Sequence, residues 1–556
     1  MKYRLVFLFL ILLGATAVRF YGLGAKSLWF DEVLSWRLQS FPAGEIVGRS
    51  GEATTVHPPL YFLLLHFWVL ACGDSEFALR SLAAVAGIAT TVAIFFLVRE
   101  AIRFAPPSVT GPRAESAASA GVLGSLLVAV SPFHVYLSKQ VRGYTLGMLL
   151  FVLSSWALLR MLSTRDKRSA AVRTTVYVLL ALAFCYTHSL ALFSVAAQGA
   201  FAVIFLWGVP SVRTSIKVRA GSLPDVVAPE GVRSKIVSAD ARRLARRCTL
   251  AAGLIIFAGN LPWLPNVWGQ SENLRTSWTR TLSVGDLAQQ PYGALLGVPD
   301  SYPVTPQSLA WSATVVLAIV LLVAGVRGGW GGTFLLLAGT IPLLLNLGYC
   351  TFSIRSIFTA RYLAFAQPAW LASFALATWR TPYREVRVLL SALLVTWSGF
   401  GYVEYWEALG PESNPGMRGA AACLAEHRAA DEAVLAQTPS VYLKLAYYLP
   451  AEVPVRLCVE VAERKAPFGS AHMKSTDMIT LDEVLAKEPV GLWIVTSDSY
   501  GVYRDIPLPS MWRMMESRSF DQDIRWENPI QVKHYRATRE PPKTTLLSEV
   551  PTRVGG

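Results

Sequence analysis

Acidic residues are few in this chain, and most of its long apolar runs contain neither Asp nor Glu. A transporter or flippase would carry charges near the middle of several spans and show related halves. Here the charges gather at the ends of the runs and no internal repeat is visible, so that class is kept only as the alternative. Charge of either sign is thin: 16% of the 556 residues are charged while 53% are hydrophobic, and the mean hydropathy is +0.41. Such a balance excludes a large soluble enzyme and fits a polytopic membrane protein. The six cysteines, at 72, 185, 248, 350, 423 and 458, show no metal-like spacing. No G-x-G-x-x-G occurs after residue 405, so nucleotide binding has no support there.

What is present is a series of about twelve apolar runs between residues 5 and 404, several of them shorter than the ~20 residues of a straight span. Basic residues give their orientation, because Lys- and Arg-rich loops are retained in the cytoplasm. The strongest signals are Arg165 to Arg173, the loop 211–247 and Arg380 to Arg387. Loop 211–247 carries nine Lys or Arg against three Asp or Glu and reads as a flexible cytoplasmic segment that attracts anionic lipid. Much of the net charge of +14 is of this kind, which removes the case for a nucleic-acid partner. With Lys2 and Arg4 inside and the C-terminal region outside, the span count must be odd, so 11 or 13 is expected, with 58–72 re-entrant or interfacial. A cleaved signal peptide is the rival reading of the N-terminus, since Ala15-Thr16-Ala17 follows the first apolar core.

On this topology the outer face collects ionisable residues. SLWFDEVLS places Asp31 and Glu32 where the first run ends, and His57-Pro58-Pro59 closes the same loop. SPFHVYLSKQVRGYTL adds Lys139, Arg142 and Tyr144, YTHSLALFSVAAQ adds His188, and ARYLAFAQPAW adds Arg361 and Tyr362. Each has a plainer reading. Trp29, Phe30 and Trp36 would serve as an interfacial belt with Asp31 capping a helix, and His57-Pro58-Pro59 as a Pro-stiffened helix start. Arg142 and Arg361 would serve as snorkelling anchors, and His66 and His134, inside apolar runs, as packed residues. Taken together they suit one chemistry: guanidinium groups hold a phosphate with two oxygens each, while a carboxylate removes a proton from an incoming hydroxyl or amine. Asp31 and Glu32 are the catalytic candidates. An Asp–Glu pair could also bind a divalent ion, though the chemistry requires no metal or other cofactor.

These five segments, in this order, resemble the bacterial relatives of glycosyltransferase family 39, which includes the protein O-mannosyltransferases and the aminoarabinose transferase acting on lipid A. The resemblance covers about residues 5 to 404 and implies the GT-C membrane fold. It further implies an inverting enzyme that takes a sugar from a polyprenyl-phosphate donor on the extracytoplasmic side of the cytoplasmic membrane. Asp31 matches the family's acidic position, His57 to Pro59 its HPP motif, Arg142 to Tyr144 its Arg-x-Tyr segment, and Arg361 and Tyr362 its late Arg-Tyr. Many relatives carry an acid two positions before the Arg of the Arg-x-Tyr segment. Gln140 stands there in this chain, which shifts the expected acid–base work onto Asp31 and Glu32. Neither the sugar nor the acceptor, whether lipid, glycan or protein, is identified.

The expected organisation is therefore a transmembrane module, 1–404, followed by an extracytoplasmic soluble domain, 405–556. In the latter, helical patterns at 418–429, 440–449 and 481–488 alternate with strand patterns at 431–437, 490–498 and 530–537. This alternation predicts a small α/β domain with a largely parallel sheet.

Overall fold

A computed structural model describes residues 2–52, 57–104, 113–208, 239–274, 281–297, 306–352, 356–409, 413–460, 472–497, 506–523 and 527–538. Most of loop 211–247 lies outside the described residues. Two compact units are present: residues 1–26 with 34–412, and residues 27–33 with those from 413 onward.

The first unit is helical. Its elements are α1 (Lys2–Phe20), α2 (Phe30–Gln39, whose first turn belongs to the second unit), α3 (Ala43–Ser50), α4 (Leu60–Cys72), α5 (Glu76–Arg103), α6 (Arg113–Val130), α7 (Pro132–Ser138), α8 (Tyr144–Leu162) and α9 (Lys167–Thr187). They continue with α10 (Ala191–Trp207), α11 (Ala239–Asn260), α12 (Leu264–Leu274), α13 (Asp286–Leu295), α14 (Gln307–Arg327), α15 (Gly329–Phe352), α16 (Gln367–Arg380) and α17 (Arg384–Leu409). Every apolar run read from the sequence falls on one of these helices or on a bent pair of them. Among the described residues eight helices are long and apolar enough to cross a membrane, or nine if the bent pair α6–α7 is one span. The difference from 11 or 13 comes from length. The helices α4 and α10 are apolar but short, and α16 has only 14 residues, nearly all buried.

Local sequence explains the breaks. Ser131 and Pro132 separate α6 from α7 at an angle of 61°: Ser131 accepts the His134 N–H at 3.3 Å, and Pro132 starts the new helix but cannot continue the old one. Burial divides the helices into an inner and an outer set. In α8, 72% of the apolar window is covered by protein, against 11% in both α1 and α17, whose apolar faces therefore call for lipid. Inner helices approach closely through glycine. Gly331 on α15 lies directly on the Ala101 backbone of α5, and Gly147 on α8 lies on the ring of Phe365.

Among the described residues the second unit contains α18 (Gly416–His427), α19 (Pro439–Tyr448) and α20 (Leu481–Leu485) with six strands: β1 (Ala433–Ala436), β2 (Val455–Cys458), β3 (Met478–Ile479), β4 (Gly491–Thr496), β5 (Trp512–Phe520) and β6 (Ile530–Ala537). Their order is β3-β2-β1-β4-β6-β5. The first four strands are parallel, as the alternation predicts, but β6 and β5 add as an antiparallel pair, so the sheet is mixed. Three strands were not legible. The strands β2 and β3 are four and two residues long, and β5 is largely exposed and carries Arg513, Glu516 and Arg518 in place of an apolar alternation.

Candidate active site

The helices of the first unit bring four of the sequence candidates to one buried pocket: His57, Arg142, Tyr144 and His188. Each arrives for a local reason. Pro58 and Pro59 stiffen the start of α4 and fix His57 ahead of it. A tight turn, closed by the Arg142 N–H on the Gln140 carbonyl at 2.8 Å, presents Arg142 just before α8. Gly143 follows because a Cβ there would stand 3.3 Å from Tyr61. His188 ends α9 in an extended conformation, its own N–H still bonded to the Phe184 carbonyl at 3.2 Å.

The rings pack on one another. His57 and His188 are 4.6 Å apart between centroids, Tyr144 is 5.5 Å from His188, and Phe365 is 4.9 Å from it. Tyr362 joins from the 3-10 turn Ala360–Leu363, with its ring 6.2 Å from His188. That turn is held by Gln290 of α13, whose Oε1 accepts the Ala360 N–H at 2.8 Å. Arg361 is buried in the same turn.

Hydrogen bonds define the protonation states. Arg142 donates to His57 Nε2 in a short contact and to the Ser35 hydroxyl at 3.4 Å, so His57 is a neutral acceptor on that nitrogen. His188 Nδ1 accepts the Leu190 N–H at 3.2 Å, which leaves Nε2 as the N–H of a neutral ring. Only 4% of His188 is exposed, and its Nε2 is buried without a hydrogen-bond partner among the described residues. Burial, and then the positive charge of Arg142, push the His188 pKa down to about 3. The pocket thus offers a guanidinium and an unused neutral N–H, both suited to an anion's oxygens.

Other candidates stand elsewhere. Lys139 does not line this pocket: its Nζ donates to the Tyr21 carbonyl at 2.8 Å and lies 5.6 Å from the Tyr405 ring. Burial, then Arg19, Arg80 and Lys26, lower its pKa to about 8. The carboxylates lie in the first turn of α2 and belong to the second unit. Glu32, 1% exposed, turns back to accept the Trp29 N–H at 3.3 Å through Oε2. Glu32 thus caps the start of α2 from within its first turn, and Asp31 is the less buried of the two. His134 is fully buried as a packed residue, its Nδ1 accepting from Arg19 at 3.1 Å.

Sequence reasoning missed Ser35, Tyr61, Thr187 and Phe365. Spacing held a signal for Ser35, one helical turn after Asp31, and Tyr61 follows two residues after Pro59 in the string HPPLYF, 57–62. Phe365 lies within ARYLAFAQPAW but nothing in that string singles it out, because its role depends on meeting His188 and Gly147 across the fold. Among the described residues no group of three or more His, Cys, Asp or Glu side chains could hold a metal ion.

No protein-family profile matches the chain, and no curated protein matches it by sequence. Comparison with solved structures defines the fold class first: this is the GT-C membrane fold. The particular structures are those of ArnT from Cupriavidus metallidurans. The form bound to undecaprenyl phosphate aligns with a TM-score of 0.54 at 13% identity, covering 94% of this chain and 97% of that one. The apo form gives 0.53 with the same identity and coverage. At this identity the likeness establishes the fold.

Proposed function

We propose that this chain is a membrane glycosyltransferase that moves a sugar from a polyprenyl-phosphate donor to an acceptor by inverting displacement at the outer face of the cytoplasmic membrane. The observation that carries the reading is the buried pocket in which Arg142 and the unused Nε2–H of His188 converge within a GT-C fold. Both are donors, and the group that satisfies both at once is an oxyanion such as a phosphate. The ArnT structure bound to undecaprenyl phosphate supports a lipid phosphate as that group.

In this scheme Asp31 accepts the proton of the acceptor hydroxyl or amine as the new bond to the anomeric carbon forms. The bond from that carbon to the phosphate oxygen breaks on the opposite face, and the polyprenyl phosphate leaves with the electron pair. Arg142, Arg361 and His188 take up the charge of the departing phosphate. Glu32 holds the start of α2 through the Trp29 N–H and so orients its neighbour. No step calls on a metal.

Reconstitution of the full chain in liposomes with labelled polyprenyl-phosphate sugars tests the proposal. Labelled acceptor and free polyprenyl phosphate should form, and Arg142→Ala should abolish both. Movement of the intact donor between leaflets without cleavage would establish a transporter instead.

A further inference from the structure

The second unit contains a short segment from the other end of the chain, Ser27–Val33, and the way it is held is specific. Three consecutive backbone N–H groups lead into α2, and each meets a side-chain acceptor. Ser27 N–H donates to Asp523 Oδ2 at 3.0 Å, Leu28 N–H to the Tyr448 hydroxyl at 2.7 Å, and Trp29 N–H to Glu32 Oε2 at 3.3 Å. A helix start leaves such donors without intrahelical partners, and here two of the three acceptors lie 496 and 420 residues away in sequence. Asp523 is itself anchored, since its other oxygen accepts the Asn414 N–H at 2.8 Å. Gly416, at φ +47°, brings its backbone so close that a Cβ would stand 3.3 Å from the Ser27 hydroxyl. Around this clamp Leu28, Trp29, Phe30 and Val33 are all buried.

We infer that Asp523 and Tyr448 are positioning residues that set the register of the first turn of α2, and with it the aim of Asp31. This rests on the reading of Asp31 as the base. The acceptors are fixed by a sheet-based unit, so the clamp places Asp31 by tertiary structure and not by loop propensity. A carboxylate whose direction is wrong by a fraction of an ångström loses rate and leaves donor affinity intact.

Tyr448→Phe, which removes one oxygen, and Asp523→Ala test this in the full-length protein in nanodiscs, with Asp31→Asn alongside. Two readouts are needed: amide hydrogen exchange at 27–29 relative to the strands β1 and β4, and cleavage of a polyprenyl phosphate carrying a labelled hexose or pentose. We expect exchange at Leu28 to rise about five- to tenfold in Tyr448→Phe while the strands stay protected, since one hydrogen bond is lost. kcat should fall by a similar factor with KM for the donor unchanged. Unchanged exchange, unchanged kcat, or a fall in kcat matched by loss of donor affinity would each overturn the clamp. If Asp31→Asn keeps its activity, the assignment of the base fails instead, a distinct result.

Discussion

Asp31 and Glu32 are neighbours in sequence but differ in surroundings. Glu32 is buried and returns one oxygen to the backbone at the helix start, while Asp31 is partly exposed. Asp31→Asn keeps size and hydrogen bonding but removes the proton acceptor, so turnover should fall about 10²- to 10⁴-fold. Glu32→Gln should cost less, because an amide oxygen still accepts the Trp29 N–H; steady-state transfer by the two variants checks the order. Arg361→Lys preserves charge but loses the two-pronged geometry, and donor KM should rise about tenfold. His188 gives a prediction in pH. It lies in the turn between α9 and α10, and burial beside Arg142 lowers its pKa from near 6.5 to about 3. The unfolded chain therefore binds a proton below pH 6.5 that the folded chain refuses. The stability this group contributes is complete above pH 6.5 and is lost as pH falls towards 3, at up to about 1.4 kcal/mol per pH unit. Melting in detergent at pH 7 and pH 5 should show a larger drop for the native chain than for His188→Gln, and equal drops would show that the imidazole is not held neutral.

Elements place these side chains by contacts that no single segment determines. Gly147 of α8 faces Phe365, whose ring atom Cζ would stand 3.0 Å from an added Cβ, with Cε1 closer still. Phe365 in turn packs on His188. Gly147→Ala should therefore push the ring towards the pocket, costing about 1–3 kcal/mol of stability and weakening donor binding as well. A substitution that lowers the melting temperature and leaves donor KM unchanged would show that the displacement stops at Phe365. The bend between α6 and α7 has a comparable lock. Arg19 of α1 is fully buried and donates to the Val128 and Ala129 carbonyls at 3.0 and 3.3 Å, satisfying groups that Pro132 leaves without helical partners. In the second unit the polar centre is Glu432, which accepts from Trp493 at 2.6 Å and pairs with His534 at 2.8 Å beneath the stacked Trp493 and His534 rings.

For the whole molecule the basic loops carry a topological prediction: a reporter fused after Gly556 should be active only outside the cytoplasm, and cytoplasmic activity would sink the proposed sidedness. Hydrophobicity is a local property, so composition alone determined a multi-pass membrane protein, and each apolar run of the sequence corresponds to a helix. Short strings such as HPPLYF and RGYTL were equally legible, because turn and helix-start chemistry is written within a few residues. Span lengths were less so, since α4, α10 and α16 are short and α16 is covered by protein instead of lipid. The site was half legible. Residue type and order marked His57, Arg142, Tyr144, His188 and Tyr362, which the tertiary structure gathers, yet the same evidence grouped Lys139 with them, and it lies on the Tyr21 carbonyl. Only the folded chain decides that His188 is neutral with a free Nε2–H, that Glu32 turns back onto the Trp29 N–H, and that Ser27 and Leu28 are held by Asp523 and Tyr448. Each of these depends on burial or on partners far away in the chain, and neither leaves a periodicity or a spacing for a sequence to display.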